Sequence, residues 1–124
     1  MSRKEKPEHA FQREVAARLR EERFITVDCD VSDGLKFLSC SGKGSFIAAH
    51  KARGWTKGQP DLIIAKNGRV AFLELKFGTG KQSLEQVQFG LRCAEQFIDY
   101  RIIRNHRDLD DIMEEINRSS VPDF

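Results

Sequence analysis

The chain has few cysteines, prolines and tryptophans. Its 124 residues include three Cys, three Pro and one Trp. Cys29, Cys40 and Cys93 form no CxxC pair, which argues against a zinc site and against a disulfide framework. They read as reduced, small apolar residues in or near the core. There is no repeat, no low-complexity tract and no Pro/Gly-rich linker, so a single domain over 1–124 is expected. No apolar run approaches the roughly 20 residues that a membrane helix needs. The opening "MSRKEKPEHAFQREV" has basic residues but no apolar h-region, hence no sign of a secretory signal. The expected location is the cytoplasm, with no membrane partner. GxSxG and P-loop motifs are missing, and no Cys sits in a triad-like setting, so nothing resembles a covalent nucleophile.

Acidic residues are also missing from one long segment. Between Gly34 and Pro60 there is no Asp or Glu, while Lys36, Lys43, Lys51, Arg53 and Lys57 all fall there with His50 and Trp55. Acids crowd into 108–115, "DLDDIMEE", and the net charge is only +2. A locally basic face on a near-neutral chain fits a polyanion partner, although a solvated loop and helix would have the same composition. Lys43, Lys51, Arg53 and Lys57, with Lys81 further along, are the candidate nucleic-acid contacts.

What is present is a regular succession of elements. A helix is expected from Pro7 to Glu22, with Pro7 in its first turn and Phe11, Val15 and Leu19 at helical spacing. "RFITVDC" and "LKFLSC" read as strands, the latter after the turn signal Asp33-Gly34. "SFIAAHKARG" reads as a short helix between Ser45 and Gly54. Ser83 to Gln86 fits a capping box. The helix behind it should turn Leu84, Val87, Leu91, Ala94 and Ile98 inward. "DYRIIR" is a short strand, and "LDDIMEEIN" a last helix with Leu109, Ile112, Met113 and Ile116 on one side. The order implies an α/β fold, a mixed sheet with helices on both faces.

The most informative stretch is Gln59–Gly78, "QPDLIIAKNGRVAFLELKFG". Asn67-Gly68 is a strong signal for a two-residue type I′ hairpin turn, because both positions need positive φ. That turn pairs Lys66 with Arg69, Ala65 with Val70, Ile64 with Ala71, Ile63 with Phe72 and Leu62 with Leu73. The next pair outward is Asp61 with Glu74. Opposed residues have β-carbons about 5 Å apart on one face, and Lys76, two beyond Glu74, joins them there. Two like charges at that distance repel by roughly 3 kcal/mol at an effective dielectric near 20. Leu62, Ile64, Leu73 and Leu75 make the opposite face apolar, so desolvation should add to the repulsion. A divalent cation between the carboxylates removes the difficulty, and hard oxygen donors suit Mg²⁺ or Mn²⁺. The alternative is that Asp61 caps the strand end in solvent while Glu74 pairs with Lys76. With a metal present, Lys76 could orient a water or steady developing negative charge. Phosphodiester hydrolysis is the chemistry that uses two acids, a lysine, a metal and a basic face.

These residues resemble the active-site hairpin of the PD-(D/E)xK nuclease superfamily. Pro60-Asp61 stands as the PD and Glu74-Leu75-Lys76 as the ExK. The flanks "ARGWTKGQPDLII" and "FLELKFGTGKQSLEQ", with Gly58 before the PD, Gly78 and Gly80 after the ExK and Ser83 to Gln86 opening a helix, are similar to the virus-type replication-repair nuclease (VRR-NUC) domain. The resemblance runs over roughly 7–117 and is strongest over 51–90. Gln59 departs from it, standing where many members have an apolar residue. The resemblance implies a restriction-endonuclease-like αβββαβ core and metal-dependent cleavage of DNA. It implies Asp61 and Glu74 as metal ligands, with the Leu75 carbonyl as a further one and Lys76 as catalytic. It also implies an acid from the first helix. Glu8, spaced from Gln12 as in the family's Glu-x-x-x-Gln, is the first choice and Glu14 the fallback, although an acid at Glu8 also suits the helix dipole. Gln86 matches a helix glutamine near the active site. Stand-alone members are often dimers acting on branched DNA, which makes a homodimer an expected form.

Overall fold

Asn67 and Gly68 both adopt positive φ, 54° and 76°, as a type I′ turn requires. They join strands β2 (Leu62–Lys66) and β3 (Arg69–Leu75). The register is the one the turn dictates, from Lys66 opposite Arg69 to Leu62 opposite Leu73. The computed structural model describes residues 6–29 and 58–118. The expected strand at "LKFLSC", the expected helix at "SFIAAHKARG", Cys40, and the basic residues Lys43, Lys51, Arg53 and Lys57 lie outside the described residues.

Among the described residues the chain is α/β. Helix α1 (Pro7–Glu21) precedes strand β1 (Ile25–Asp28). Helix α2 (Leu84–Glu95), strand β4 (Asp99–Ile103) and helix α3 (His106–Asn117) follow the hairpin. The sheet runs β1-β2-β3-β4. Its first two pairings are antiparallel and β3 pairs with β4 in parallel. A parallel neighbour needs a crossover connection, and α2 supplies it. No helix among the described residues is long and apolar enough to cross a membrane.

Alternation along the strands divides the sheet into two faces. Leu62, Ile64, Ala71, Leu73, Leu75 and Ile103 pack against Phe11, Val15 and Leu19 of α1 and Leu109, Ile112, Met113 and Ile116 of α3. The inward faces expected for both helices are thus the observed ones. The turn docks on this layer through the Asn67 amide, which donates to the Ile116 carbonyl at 3.3 Å. Lys66 closes the C-terminal end of α1. Its ammonium donates to the Glu22 carbonyl at 2.6 Å and lies 4.8 Å from the Phe24 ring centre, a cation where the helix dipole is negative.

Helix α2 covers the second face, and not with the stripe expected of it. Leu84 is 70% exposed, Leu91 60%, and Val87 and Ile98 are exposed as well; Ala94 is also exposed. Gln86, Phe89, Gly90 and Cys93 turn inward instead. Phe89 packs between Phe72 and Tyr100, with ring centres 6.2 and 6.1 Å away. Cys93 is buried, as a small apolar residue should be, while Cys29 is half-buried. Gly90 lets the helix close on Tyr100, since a Cβ there would stand 3.2 Å from the ring. The rotation follows from what the inward residues meet. Ser83 caps the helix and Gln86 closes the capping box, and the Gln86 amide is then drawn onto Glu74 at 2.7 Å.

Candidate active site

Pro60 has no N–H, so the ladder between β2 and β3 cannot continue unchanged past Asp61. Leu62 already faces Leu73, yet the Asp61 N–H also donates to the Leu73 carbonyl, at 3.0 Å. Two successive residues thus converge on one partner, the signature of a β-bulge. Asp61 is therefore not the simple cross-strand partner of Glu74 that extrapolating the register gives. Its carboxylate takes the place of a ladder carbonyl and accepts from the Leu75 N–H at 2.7 Å. The Asp61 carbonyl accepts from Cys29 N–H at 2.8 Å, which ties β1 to the same corner.

The bulge redirects Asp61 without separating the acids. The two carboxyls are in hydrogen-bonding contact, and Glu74 is only 1% exposed. Burial and the adjacent Asp61 push the Glu74 carboxyl from 4.5 up to about 8, and the Lys76 charge and the Tyr100 hydroxyl oppose this only in part. At neutral pH the pair therefore holds a proton between its two carboxyls. The alternative in which Asp61 merely caps a strand end in solvent, with Glu74 paired to Lys76, does not fit an acid so deeply buried and touching a second acid.

Around this pair the chain forms a cleft of about 270 Å³. Its floor is Asp61, Glu74, Leu75 and Lys76. One wall is the start of α1, with Glu8, Phe11 and Gln12; the other is Gln86 on α2; Phe77 and Gly80 form the lip. Gly58 sets the distance between hairpin and α2. It has φ +85°, and a Cβ on it would stand 2.3 Å from the Glu85 carbonyl oxygen. Only glycine permits that approach, which holds Pro60-Asp61 against the helix end that presents Gln86.

Among the described residues, the sequence-predicted site residues thus fall into three groups. Asp61, Glu74, Leu75, Lys76, Gln86 and Glu8 line one cleft. Glu8 lines it without joining the acid pair: among the described residues no three His, Cys, Asp or Glu side chains form a metal-holding group. The fallback acid Glu14 is engaged elsewhere, its carboxylate accepting from His106 Nε2 at 2.9 Å on the α1–α3 side. Lys81 is exposed beyond the lip. Two residues were missed. Tyr100 places its hydroxyl 3.4 Å from Glu74 Oε2, and Gln82 donates to that hydroxyl at 3.1 Å. Burial and the neighbouring Glu74 push the Tyr100 phenol well above its ordinary value, so it stays a neutral donor. Its position follows from the parallel pairing of Phe72 with Tyr100 and Glu74 with Ile102, which no local pattern announces.

The two acids offer hard oxygen donors of the kind a divalent cation takes. Two oxygen-bearing acids in contact, sharing a proton and opening to a polar cleft, are what such an ion would replace that proton between. Comparison with protein-family models, with curated proteins and with solved structures yields no match.

Proposed function

We propose that the chain is a metal-dependent DNA nuclease of the PD-(D/E)xK superfamily, of the VRR-NUC type, with a restriction-endonuclease-like core. The observation that carries this is the Asp61–Glu74 contact at the mouth of the hairpin, with Glu74 buried and Lys76 beside it. A pair of acids that costs stability in isolation needs a use, and perturbed acids in a cleft mark functional sites. The described order helix, three strands, helix, strand, followed by a last helix, supports the same core.

In this reading Asp61 and Glu74 hold Mg²⁺ or Mn²⁺, with the Leu75 carbonyl beside them. The bound ion would polarise a phosphoryl oxygen and lower the pKa of a water. Gln86 and Tyr100 fix the Glu74 carboxylate from two sides, so that its oxygens stay aimed once the proton leaves. The Asp61 carboxylate is held by the Leu75 N–H. Lys76 supplies a compact positive charge for the water or for the charge that develops on the phosphate. Glu8 and Gln12 border the space where the phosphate would lie. The acid-poor segment 34–60 and Lys81 are the source of phosphate contacts, and a homodimer would give two such sites to one DNA.

Cleavage of labelled linear, flapped and four-way substrates with Mg²⁺, Mn²⁺ or EDTA tests the proposal. Lys76→Ala should abolish cutting and keep the fold and most of the DNA affinity. Asp61→Asn should abolish cutting and metal uptake together. Cutting at the wild-type rate by either variant refutes the assignment. One observation favours a second reading, a DNA-binding module that does not cut: no third acid joins the pair among the described residues. DNA binding without metal-dependent cleavage by the unmodified chain would select it.

A further inference from the structure

The lip of the cleft holds an aromatic ring for which the metal chemistry has no use. Phe77 follows Lys76 directly, lines the cleft, and is 50% exposed. It is also held in place. The N–H groups on either side of it are tied to the end of β4, Lys76 to the Ile103 carbonyl at 3.0 Å and Gly78 to the Arg104 carbonyl at 3.2 Å. The Arg104 guanidinium grips the carbonyls of Gly78 and Gly80. The ring is steadied by Phe11, with centres 5.3 Å apart and planes at 47°. Phe11 in turn meets the His106 ring edge-on at 5.4 Å. The half of Phe77 that this packing leaves uncovered borders the cleft and is open to solvent.

We propose that Phe77 is a stacking platform for an unpaired base, and that the site accepts a strand whose nucleotide beside the cut phosphate has left the duplex stack. This rests on the nuclease reading above. Three residues of extended chain, about 10 Å at most, separate Phe77 from Glu74, which is within the reach of one nucleotide. Every base has a π-face, so the contact selects for unpaired character and not for sequence. A ring already fixed in the free protein loses little freedom on binding. A paired base cannot use it, since both of its faces are occupied in the duplex.

The experiment uses the full chain carrying Lys76→Ala, so that DNA stays intact, and two DNAs of one sequence. One is fully paired; the other has a run of unpaired nucleotides that includes 2-aminopurine. Binding is read by titration and stacking by the 2-aminopurine emission. Adding Phe77→Ala should weaken binding of the unpaired DNA about tenfold and abolish the emission change, with the paired duplex unaffected. Phe77→Tyr should behave as the parent. Phe77→Leu keeps an apolar contact with Phe11 but has no π-face, so it should melt like the parent and bind like Phe77→Ala. Parent-like binding and emission by Phe77→Leu would overturn this inference alone. Failure of the Lys76→Ala protein to bind either DNA would overturn the nuclease reading and this inference with it.

Discussion

Replacing Glu74 by glutamine should make the metal-free protein more stable at alkaline pH, and the size of the gain follows from the site. The carboxyl is held at about 8 in the folded chain against an ordinary value of 4.5. Between those values the folded state keeps a proton that the unfolded state has released. Stability must therefore fall as pH rises through that window and level off above it. Each pH unit of separation is worth about 1.4 kcal/mol, which sets a ceiling near 5 kcal/mol. That is a large share of the total stability of an ordinary domain, about 5–15 kcal/mol. An amide at this position cannot ionise and can still accept from Gln86 through its oxygen. Urea unfolding in EDTA at several pH values from 5 to 9 measures both proteins. The wild type should lose stability across the range, and the Glu74→Gln protein should not share that loss. The difference between the two curves should grow with pH to several kcal/mol. Parallel curves would refute the burial and like-charge argument, because they would mean that Glu74 titrates alike in the folded and unfolded chain.

Three further changes probe the scaffold. Gly58→Ala puts a Cβ against the Glu85 carbonyl at a positive φ; it should destabilise by about 2 kcal/mol or more and depress cleavage, and unchanged unfolding would contradict the close approach. Phe97→Gly should stabilise by about 1 kcal/mol in chemical unfolding, because Phe97 is 97% exposed and sits at φ 58° just past α2. Tyr100→Phe removes a hydroxyl that favours the charged form of Glu74. The acid limb of its cleavage–pH profile should move to higher pH, and a move to lower pH would reverse the assigned role.

The features legible in the sequence were those fixed by short-range chemistry. Asn67-Gly68 determines its turn through φ alone, and the turn carries the whole β2–β3 register with it. Ser83 and Gln86 form their capping box within one helical turn. Leu109, Ile112, Met113 and Ile116 form a stripe that faces the core, where α1 and β-strand residues wait for it. The misreadings arose where a distant partner decides. The stripe Leu84, Val87, Leu91 on α2 is as regular as that of α3, but Gln86 and Gly90 are claimed by Glu74 and Tyr100, and the helix turns accordingly. Pro60 is plain in the sequence, but its effect on the next residue, a bulge that swings the Asp61 carboxylate onto the Leu75 N–H, depends on how the ladder closes. Glu14 has the right charge and helix for the cleft, yet it lies nearly two turns from Glu8 and meets His106 of α3 instead.

The acid pair as a cation site is tested most directly by Mn²⁺ titration calorimetry at pH 7, repeated in two buffers of different ionisation enthalpy. The expected result is one ion bound per chain with release of close to one proton from the Asp61–Glu74 pair, both lost in the Asp61→Asn protein. Absence of Mn²⁺ binding by the wild type, or binding that survives Asp61→Asn unchanged, would contradict it.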